Sequence, residues 1–476
     1  MTFDFARKQR IAIIGGGPGG YEAALAGAQL GAEVTLIENT GVGGSAVLTD
    51  VVPSKTLIAT ADAARAIDEA GDLGVQFFAR GAAGKPLKPE VAINLLAINK
   101  RILALAGQQS EDMRESLLEA GVRIISGHGR LEGDDAVVVS TGPDGTDFDR
   151  IEADTFVLSV GASPRELPAA TPDGDRILTW KQMYNMSAVP EHLVVVGSGV
   201  TGAEFASAYM NLGARVTLVS SRDQVLPGED ADAAAVLEKV FTRGGMTLLA
   251  KSRAESVENT GEGVRVTLSD GSVVEGSHCL MAVGSVPNTR DLGLEEAGVQ
   301  LADSGHILIN RVGRTSVPNI YAVGDCTNLI PLASVASMLG RTAVFHAMGD
   351  AVIPFSEHKI ASNIFTTPEI ATVGWTSATA EDSTAWKLPL SANPRAKMMG
   401  VRDGFVKLFV RRGSGTVVGG VVVAPKASEL IYPIAIAVDR RLTADQLARV
   451  FTAYPSLAGS IADAARALHG VDQRGD

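Results

Sequence analysis

Ile11-Ala-Ile-Ile-Gly15-Gly-Gly17-Pro-Gly-Gly20 joins a short apolar run to a glycine-rich turn. The apolar run reads as a buried parallel strand. Tyr21–Leu30 then reads as a helix stopped by Gly31, and Val34–Ile37 as a second strand closed by Glu38. The glycine spacing has a physical logic. Gly15 makes the tight turn, Gly17 lets the backbone approach a pyrophosphate, and Gly20 lets the helix sit on the strand. Unpaired N–H groups at the positive end of the helix dipole then hold the phosphates. Glu38, at the strand end, is placed for ribose hydroxyls.

The same unit recurs. Leu193–Val196 reads as a strand, Gly197-Ser-Gly199-Val-Thr-Gly202 as the loop, Ala203–Leu212 as the helix and Val216–Val219 as the second strand. The interval of 23 residues from Gly15 to Glu38 is repeated from Gly197 to Ser220. A lone loop of this kind is a weak signal, but two in equal frames predict two dinucleotide sites. FAD with a nicotinamide cofactor is the commonest pair. The strand ends differ, Glu38 in one and Ser220-Ser-Arg222 in the other. A carboxylate repels a 2′-phosphate, whereas small hydroxyls beside an arginine accept one. NADPH is therefore expected as reductant alongside NADH, unless Arg222 is simply a solvated surface arginine.

Composition sets the outer limits. The chain has 476 residues, 46% apolar and 20% charged, room for about three domains of roughly 150 residues. With 42 basic and 54 acidic residues the net charge is −12, which argues against a nucleic-acid or anionic-membrane binder. Cys279 and Cys326 are the only cysteines, too few for a disulfide framework or a zinc site. Cys279, in an apolar stretch, and Cys326 read as small buried hydrophobes rather than nucleophiles. Met1–Arg10 lacks the apolar core of a signal peptide. No apolar run approaches the ~18–20 residues that span a bilayer. A cytoplasmic protein without a metal is the expectation.

A third stretch carries the family resemblance. Gly43-Gly-Ser-Ala46-Val-Leu-Thr-Asp-Val51-Val-Pro-Ser-Lys55 resembles the redox segment of the flavoprotein disulfide reductases, the lipoamide dehydrogenase and glutathione reductase family. There the pattern is G-G-T-C-x-x-x-x-C-x-P-S-K, so Ala46 and Val51 stand where the two thiols belong. Other motifs follow in family order. Gly127-His-Gly129 resembles the segment whose backbone reads the adenine, and Ser159-Val-Gly161-Ala-Ser-Pro164 the strand closing the first FAD half. Gly284-Ser-Val-Pro-Asn288-Thr289 resembles the motif leaving the nicotinamide domain. Ile320-Tyr-Ala-Val-Gly-Asp325 resembles the second FAD fingerprint, in which the Asp binds the ribityl chain. Phe365-Thr-Thr-Pro368-Glu369 resembles the motif opening the interface domain.

The resemblance implies an α/β fold with two Rossmann-like domains and a C-terminal α/β dimerisation domain. The expected parts are residues 1–155 and 285–352 for FAD, 156–284 for NAD(P), and 353–476 for the homodimer interface. Phe405–Val410 and Val417–Val423 read as strands there, and Ser428–Val438 and Ala444–Phe451 as helices. Gly81–Pro89 and Gly142–Gly145 read as Gly/Pro-rich connectors. Gly44, Ser45, Gly129, Ser159, Gly161, Gly284 and Asp325 join Gly15, Gly17, Gly20 and Glu38 as expected cofactor contacts. Gly197, Gly199, Gly202, Ser220 and Arg222 are the expected nicotinamide-cofactor contacts.

Two matched residues carry the chemistry. Lys55 matches the lysine near flavin N5, whose charge favours the reduced ring, and Glu204 the glutamate paired with it beside the nicotinamide. Outside those motifs they would be a solvated lysine and a first-turn acid favoured by the helix dipole. The disulfide half is absent. The family's H-P-T-L-S-E segment, supplied by the partner subunit, stands here as Tyr454-Pro-Ser-Leu-Ala-Gly459. A tyrosine, with an ordinary pKa of about 10, is a poor base near neutrality. The match is to the cysteine-less branch with NAD(P)H:quinone reductase activity, and the implied reaction is two-electron quinone reduction by reduced flavin. Tyr454 would stack on the quinone or donate to its carbonyl, unless quinone enters the nicotinamide pocket instead. A soluble transhydrogenase and a non-enzymatic FAD-holding subunit are the alternatives. His346 reads as packing or interface, His128 as a backbone contributor, and Gly228–Asp232 as a solvated loop before a helix.

Overall fold

Arg10–Ile14 is the centre of a five-stranded parallel sheet in the order Ile320–Ala322, Thr155–Leu158, Arg10–Ile14, Glu33–Glu38, Arg123–Ser126. The computed structural model describes residues 8–78, 91–142, 147–376, 379 and 382–469. Alternate residues of the central strands enter two separate cores. Ala12, Ile14, Ile37, Phe156 and Leu158 pack with Leu131, Val137 and Val139 of an antiparallel sheet, His128–Glu132, Ala136–Thr141 and Asp147–Glu152. Ile11, Ile13, Leu36 and Val157 pack under the helices Pro18–Gln29 and Ala333–Ala347. Both faces are covered, which is why these strands read as unbroken apolar runs. This unit comprises Met1–Ser54, Lys100–Arg165 and Gly284–Ser356.

The second unit comprises Lys55–Asn99, Glu166–Val283 and Glu357–Asp476. It repeats the motif with a parallel sheet ordered Thr247–Leu249, Arg215–Val219, His192–Val196, His278–Met281, Ile177–Leu178. It also carries an antiparallel five-stranded sheet, ordered Ala361–Ile364, Glu369–Gly374, Val417–Ala424, Phe405–Arg411, Ser383–Pro389. Helices Ala427–Asp439 and Gly459–Leu468 bury their apolar faces in that sheet's core through Ile431, Ile434, Ile461 and Leu468. The fold is therefore α/β with two βαβ glycine-loop units, as the sequence predicts.

Two expectations change. The helix expected over Ala444–Phe451 ends at Ala448. Thr443 and Gln446 cap its start reciprocally, and Ala444 and Leu447 are buried, whereas Val450 and Phe451 are exposed. A helix without an apolar face to bury gains nothing by continuing. The acidic Gly228–Asp232 stretch is not a solvated loop. Asp230 is buried, caps the helix Ala231–Arg243 by accepting from the Asp232 N–H, and accepts two hydrogen bonds, at 2.9 and 2.8 Å, from the buried Lys407 ammonium, which also lies 2.6 Å from Asp232 Oδ2. His346 packs on Tyr321, as expected, with the tyrosine hydroxyl 2.8 Å from its Nδ1. The expected connector Gly81–Pro89 and residues 143–145 of the other lie outside the described residues.

Candidate active site

At the first glycine loop, Gly15 has φ +99° and a Cβ there would lie 2.3 Å from the Ser159 carbonyl oxygen. A Cβ on Gly20 would lie 1.9 Å from the Gly15 oxygen, so only glycine lets the helix meet the strand this closely. Around Gly17 a Cβ would meet nothing nearer than 3.9 Å, and no side chain caps the helix start. An anion can therefore approach the backbone here. Ser159 fixes the loop, its buried Oγ accepting from the Gly20 N–H at 2.9 Å. Gly43 N–H donates to the Gly16 oxygen at 2.7 Å, and Gly44 lies against Gly17. Ser45 is exposed beside them, its Oγ 2.8 Å from Thr49 Oγ1.

Glu38 does more here than face a ribose. Its Oε2 accepts from the Gly16 N–H at 2.6 Å, and its Oε1 from the Thr40 N–H, the Thr40 hydroxyl and the Gly41 N–H at 2.7, 2.8 and 3.2 Å. The carboxylate thus ties the glycine loop to the segment after its own strand. Gly129 sits on a strand close against Ile14 and Ile37, where a Cβ would lie 3.2 Å from the Ile14 side chain. His128 turns its imidazole to Asn39, 3.1 Å away. The Gly161 carbonyl accepts from the Asn288 N–H at 3.0 Å, and Asn288 Nδ2 donates to the Val160 oxygen at 2.9 Å. Gly284 accepts from the Arg165 N–H at 2.9 Å. Asp325 is half-buried, and burial holds its carboxyl above the usual carboxylate range, with His306 opposing the shift.

The second loop is built the same way. Gly197 has φ +111°, a Cβ on Gly202 would lie 1.8 Å from the Gly197 oxygen, and Gly199 is open. The difference lies at Ser220, which is buried. Its hydroxyl accepts from Ser198 Oγ at 2.7 Å and from the Arg222 N–H at 3.1 Å, and donates to the Arg222 carbonyl at 3.1 Å. That uses one donor and both acceptor positions. Ser220 is thus a brace rather than a free hydroxyl, and the exposed groups at this strand end are Ser221 and Arg222. The following loop is tied back by the Leu226 N–H to the Ser198 oxygen at 2.8 Å.

Lys55, on the helix Val51–Glu69, and Glu204, on the helix Val200–Asn211, meet directly. Lys55 Nζ donates to Glu204 Oε2 at 2.8 Å, and Glu204 Oε1 accepts from the Phe365 N–H at 2.8 Å. Lys55 Nζ also lies 5.0 Å from the centroid of the Phe365 ring. Glu204 is buried, its side chain 5% exposed against 27% for Lys55. Both carboxylate oxygens have a donor, so the charge can persist in low dielectric. Lys55 and Glu204 are expected from the sequence, whereas Phe365, the third contact, is not. Its signal was the F-T-T-P-E motif, read only as a domain boundary.

No thiol chemistry stands at the redox segment. Ala46 lies on the short helix Gly44–Leu48, and Val51 opens the next. Cys279 and Cys326 are both fully buried. Burial pushes the Cys279 thiol far above its ordinary range and that of Cys326 up to about 11. Neither is a thiolate near neutrality. Tyr454 is 84% exposed and Gly459 starts the helix Gly459–Leu468. Among the described residues no group of three or more His, Cys, Asp or Glu is arranged to hold a metal, and no helix is long and apolar enough to cross a membrane.

Comparison with known proteins defines the class. Residues 9–340 match the family described as "Pyridine nucleotide-disulphide oxidoreductase", and residues 360–465 its dimerisation domain. The chain belongs to this family. It is 50% identical over 477 residues to a protein of Mycobacterium tuberculosis named "NAD(P)H dehydrogenase (quinone)", covering 97% of this chain and 94% of the relative. It is 31% identical over 475 residues to dihydrolipoyl dehydrogenase 2 of Haloarcula marismortui, covering 98% of each. The crystal structure of LpdA from Mycobacterium tuberculosis superposes with a TM-score of 0.90 at 49% identity, over 97% of this chain and 99% of that one.

Proposed function

We propose that the chain is an FAD-dependent NAD(P)H:quinone oxidoreductase that reduces a quinone by two electrons without a redox disulfide. The observation that carries this reading is the Lys55–Glu204–Phe365 cluster, with its 2.8 Å ion pair, in a chain whose redox segment holds Ala46 and Val51. The 50% identical relative named for this activity supports it over 97% of the chain.

The open backbone at Gly17 and the uncapped helix start fit the FAD pyrophosphate. Gly15, Gly20, Gly44, Ser45, Gly129, Ser159, Gly161 and Gly284 would complete its cradle. Glu38 Oε2, which accepts a single hydrogen bond, keeps a lone pair for a ribose hydroxyl while the carboxylate braces the loop. The half-buried Asp325 would gain a ribityl hydroxyl as partner. Gly197, Gly199 and Gly202 would hold the NAD(P)H pyrophosphate, with Ser220 bracing the strand end and Arg222 meeting a 2′-phosphate. FAD supplies two-electron chemistry when bound, taking electrons from NAD(P)H and passing them to the acceptor. Lys55 favours negative charge developing near its ammonium, and Glu204 holds that ammonium in place.

Residues 1–155 with 285–352, 156–284 and 353–476 are the FAD, NAD(P) and interface parts in this reading. The dimerisation match supports a homodimer, across which Tyr454 would donate to a quinone carbonyl. A cytoplasmic location goes with a reductant made there. A steady-state quinone panel with NADPH and NADH tests the proposal. Turnover that requires quinone and ignores lipoamide is expected. Thio-NAD⁺ reduction by NADPH outpacing every quinone would favour a transhydrogenase instead.

A further inference from the structure

The hydrogen bonds around Glu204 continue beyond it. Lys55 and Asp62 are seven residues apart on the helix Val51–Glu69, and so share one face. Glu204, Ser207 and Asn211 share a face of the helix Val200–Asn211. The segment Phe365–Thr367 is fastened to both helices. The Thr367 N–H donates to the buried Ser207 Oγ at 3.1 Å, two residues after the Phe365 N–H donates to Glu204. Asn211 Nδ2 donates to Thr367 Oγ1 at 3.2 Å, and Thr367 Oγ1 donates to Asp62 Oδ1 at 3.0 Å. One hydroxyl thus joins a side chain of each helix, two turns along from where Lys55 meets Glu204.

We propose that Thr367, acting with Asp62, is a positioning residue that holds the two helices at the spacing the Lys55–Glu204 pair requires. Lys55 is a flexible side chain whose reach to Glu204 depends on where its helix backbone lies. The Phe365 N–H fixes one carboxylate oxygen, and the Thr367 bracket fixes the helix that presents the lysine.

The inference rests on the pair assisting flavin reduction, so its test has one readout that needs no turnover. Thr367→Val, Thr367→Ser and Asp62→Ala are compared with wild type as FAD-loaded full chains. Anaerobic stopped-flow with saturating NADPH should show flavin reduction about tenfold slower in Thr367→Val, because a misplacement of about 1 Å costs up to roughly a hundredfold. Half-saturating NADPH should stay within about twofold, and Thr367→Ser should restore the rate within about twofold. Reductive methylation of Lys55, followed by mass spectrometry, should be severalfold faster in Thr367→Val than in wild type or Thr367→Ser. If Thr367→Val does not fold, Asp62→Ala is expected to give the same slowing and the same methylation change. A wild-type flavin that NADPH cannot bleach sinks the functional reading, while the methylation comparison still decides the bracket. Wild-type flavin reduction and Lys55 reactivity in the Val or Ala variant, or slowing that Ser fails to rescue, overturns the inference.

Discussion

The cluster at Lys55 and the redox segment just before it are built to different degrees. In the cluster every polar atom of Glu204 has a partner, and Thr367, Asp62, Ser207 and Asn211 continue the network. In the segment, Ala46 and Val51 bring no polar side-chain atom at all, and Ser45 and Thr49 bond only to each other and to the Ser45 carbonyl. A buried charge persists only where its partners are supplied, and removing one leaves the other costly. The cluster therefore has the makings of a preorganised electron-entry site. The redox segment holds no group for thiol exchange.

Four groups of variants press on this contrast, in order of decreasing effect. Lys55→Met or Glu204→Gln should slow flavin reduction by NADPH roughly a thousandfold, the scale for a preorganised electrostatic group, with FAD content unchanged in the visible spectrum. A loss under threefold would mean that the cluster is structural. Next comes Lys407→Met, which strands Asp230 without its cation. Chemical denaturation should register a loss of about 3 kcal/mol, and the double change with Asp230→Asn should recover most of it. Arg222→Ala should lower kcat/KM for NADPH about tenfold while leaving NADH within about twofold. A uniform drop for both cofactors would assign Arg222 to general binding. The smallest effect belongs to Ala46→Cys/Val51→Cys. Lipoamide reduction should stay at background, because Tyr454 and Gly459 supply no base in place of the family's His–Glu pair. Robust lipoamide turnover in that variant would erase the contrast.

Local patterns made much of this legible. The glycine loops announce their turns and helix starts because Gly15, Gly20, Gly197 and Gly202 occupy places where a side chain would collide with backbone. Lys55 and Glu204 stand out through the family resemblance, because each matches a position in one of its motifs. What escaped the reading is what depends on residues distant in sequence. Asp230 looks solvated until Lys407 is seen to reach it across 177 positions. Ser220 looks like a ligand until Ser198 and Arg222 are seen to use its hydroxyl. Thr367 looks like motif filler until Asp62 and Asn211 converge on its oxygen. The end of the helix Ala444–Ala448 was missed because propensity continues where burial stops.

In the proposed cycle electrons enter at the flavin from NAD(P)H and leave it directly, with no disulfide as relay. Anaerobic double-mixing stopped-flow tests it most directly. The FAD-loaded protein is reduced with one equivalent of NADPH, then mixed with a quinone or with oxidised lipoamide, while the flavin absorbance is followed. NADPH should bleach the flavin and quinone should restore the oxidised spectrum, while lipoamide should leave it reduced. Reoxidation by lipoamide as fast as by quinone, or a flavin that NADPH does not bleach, would contradict it.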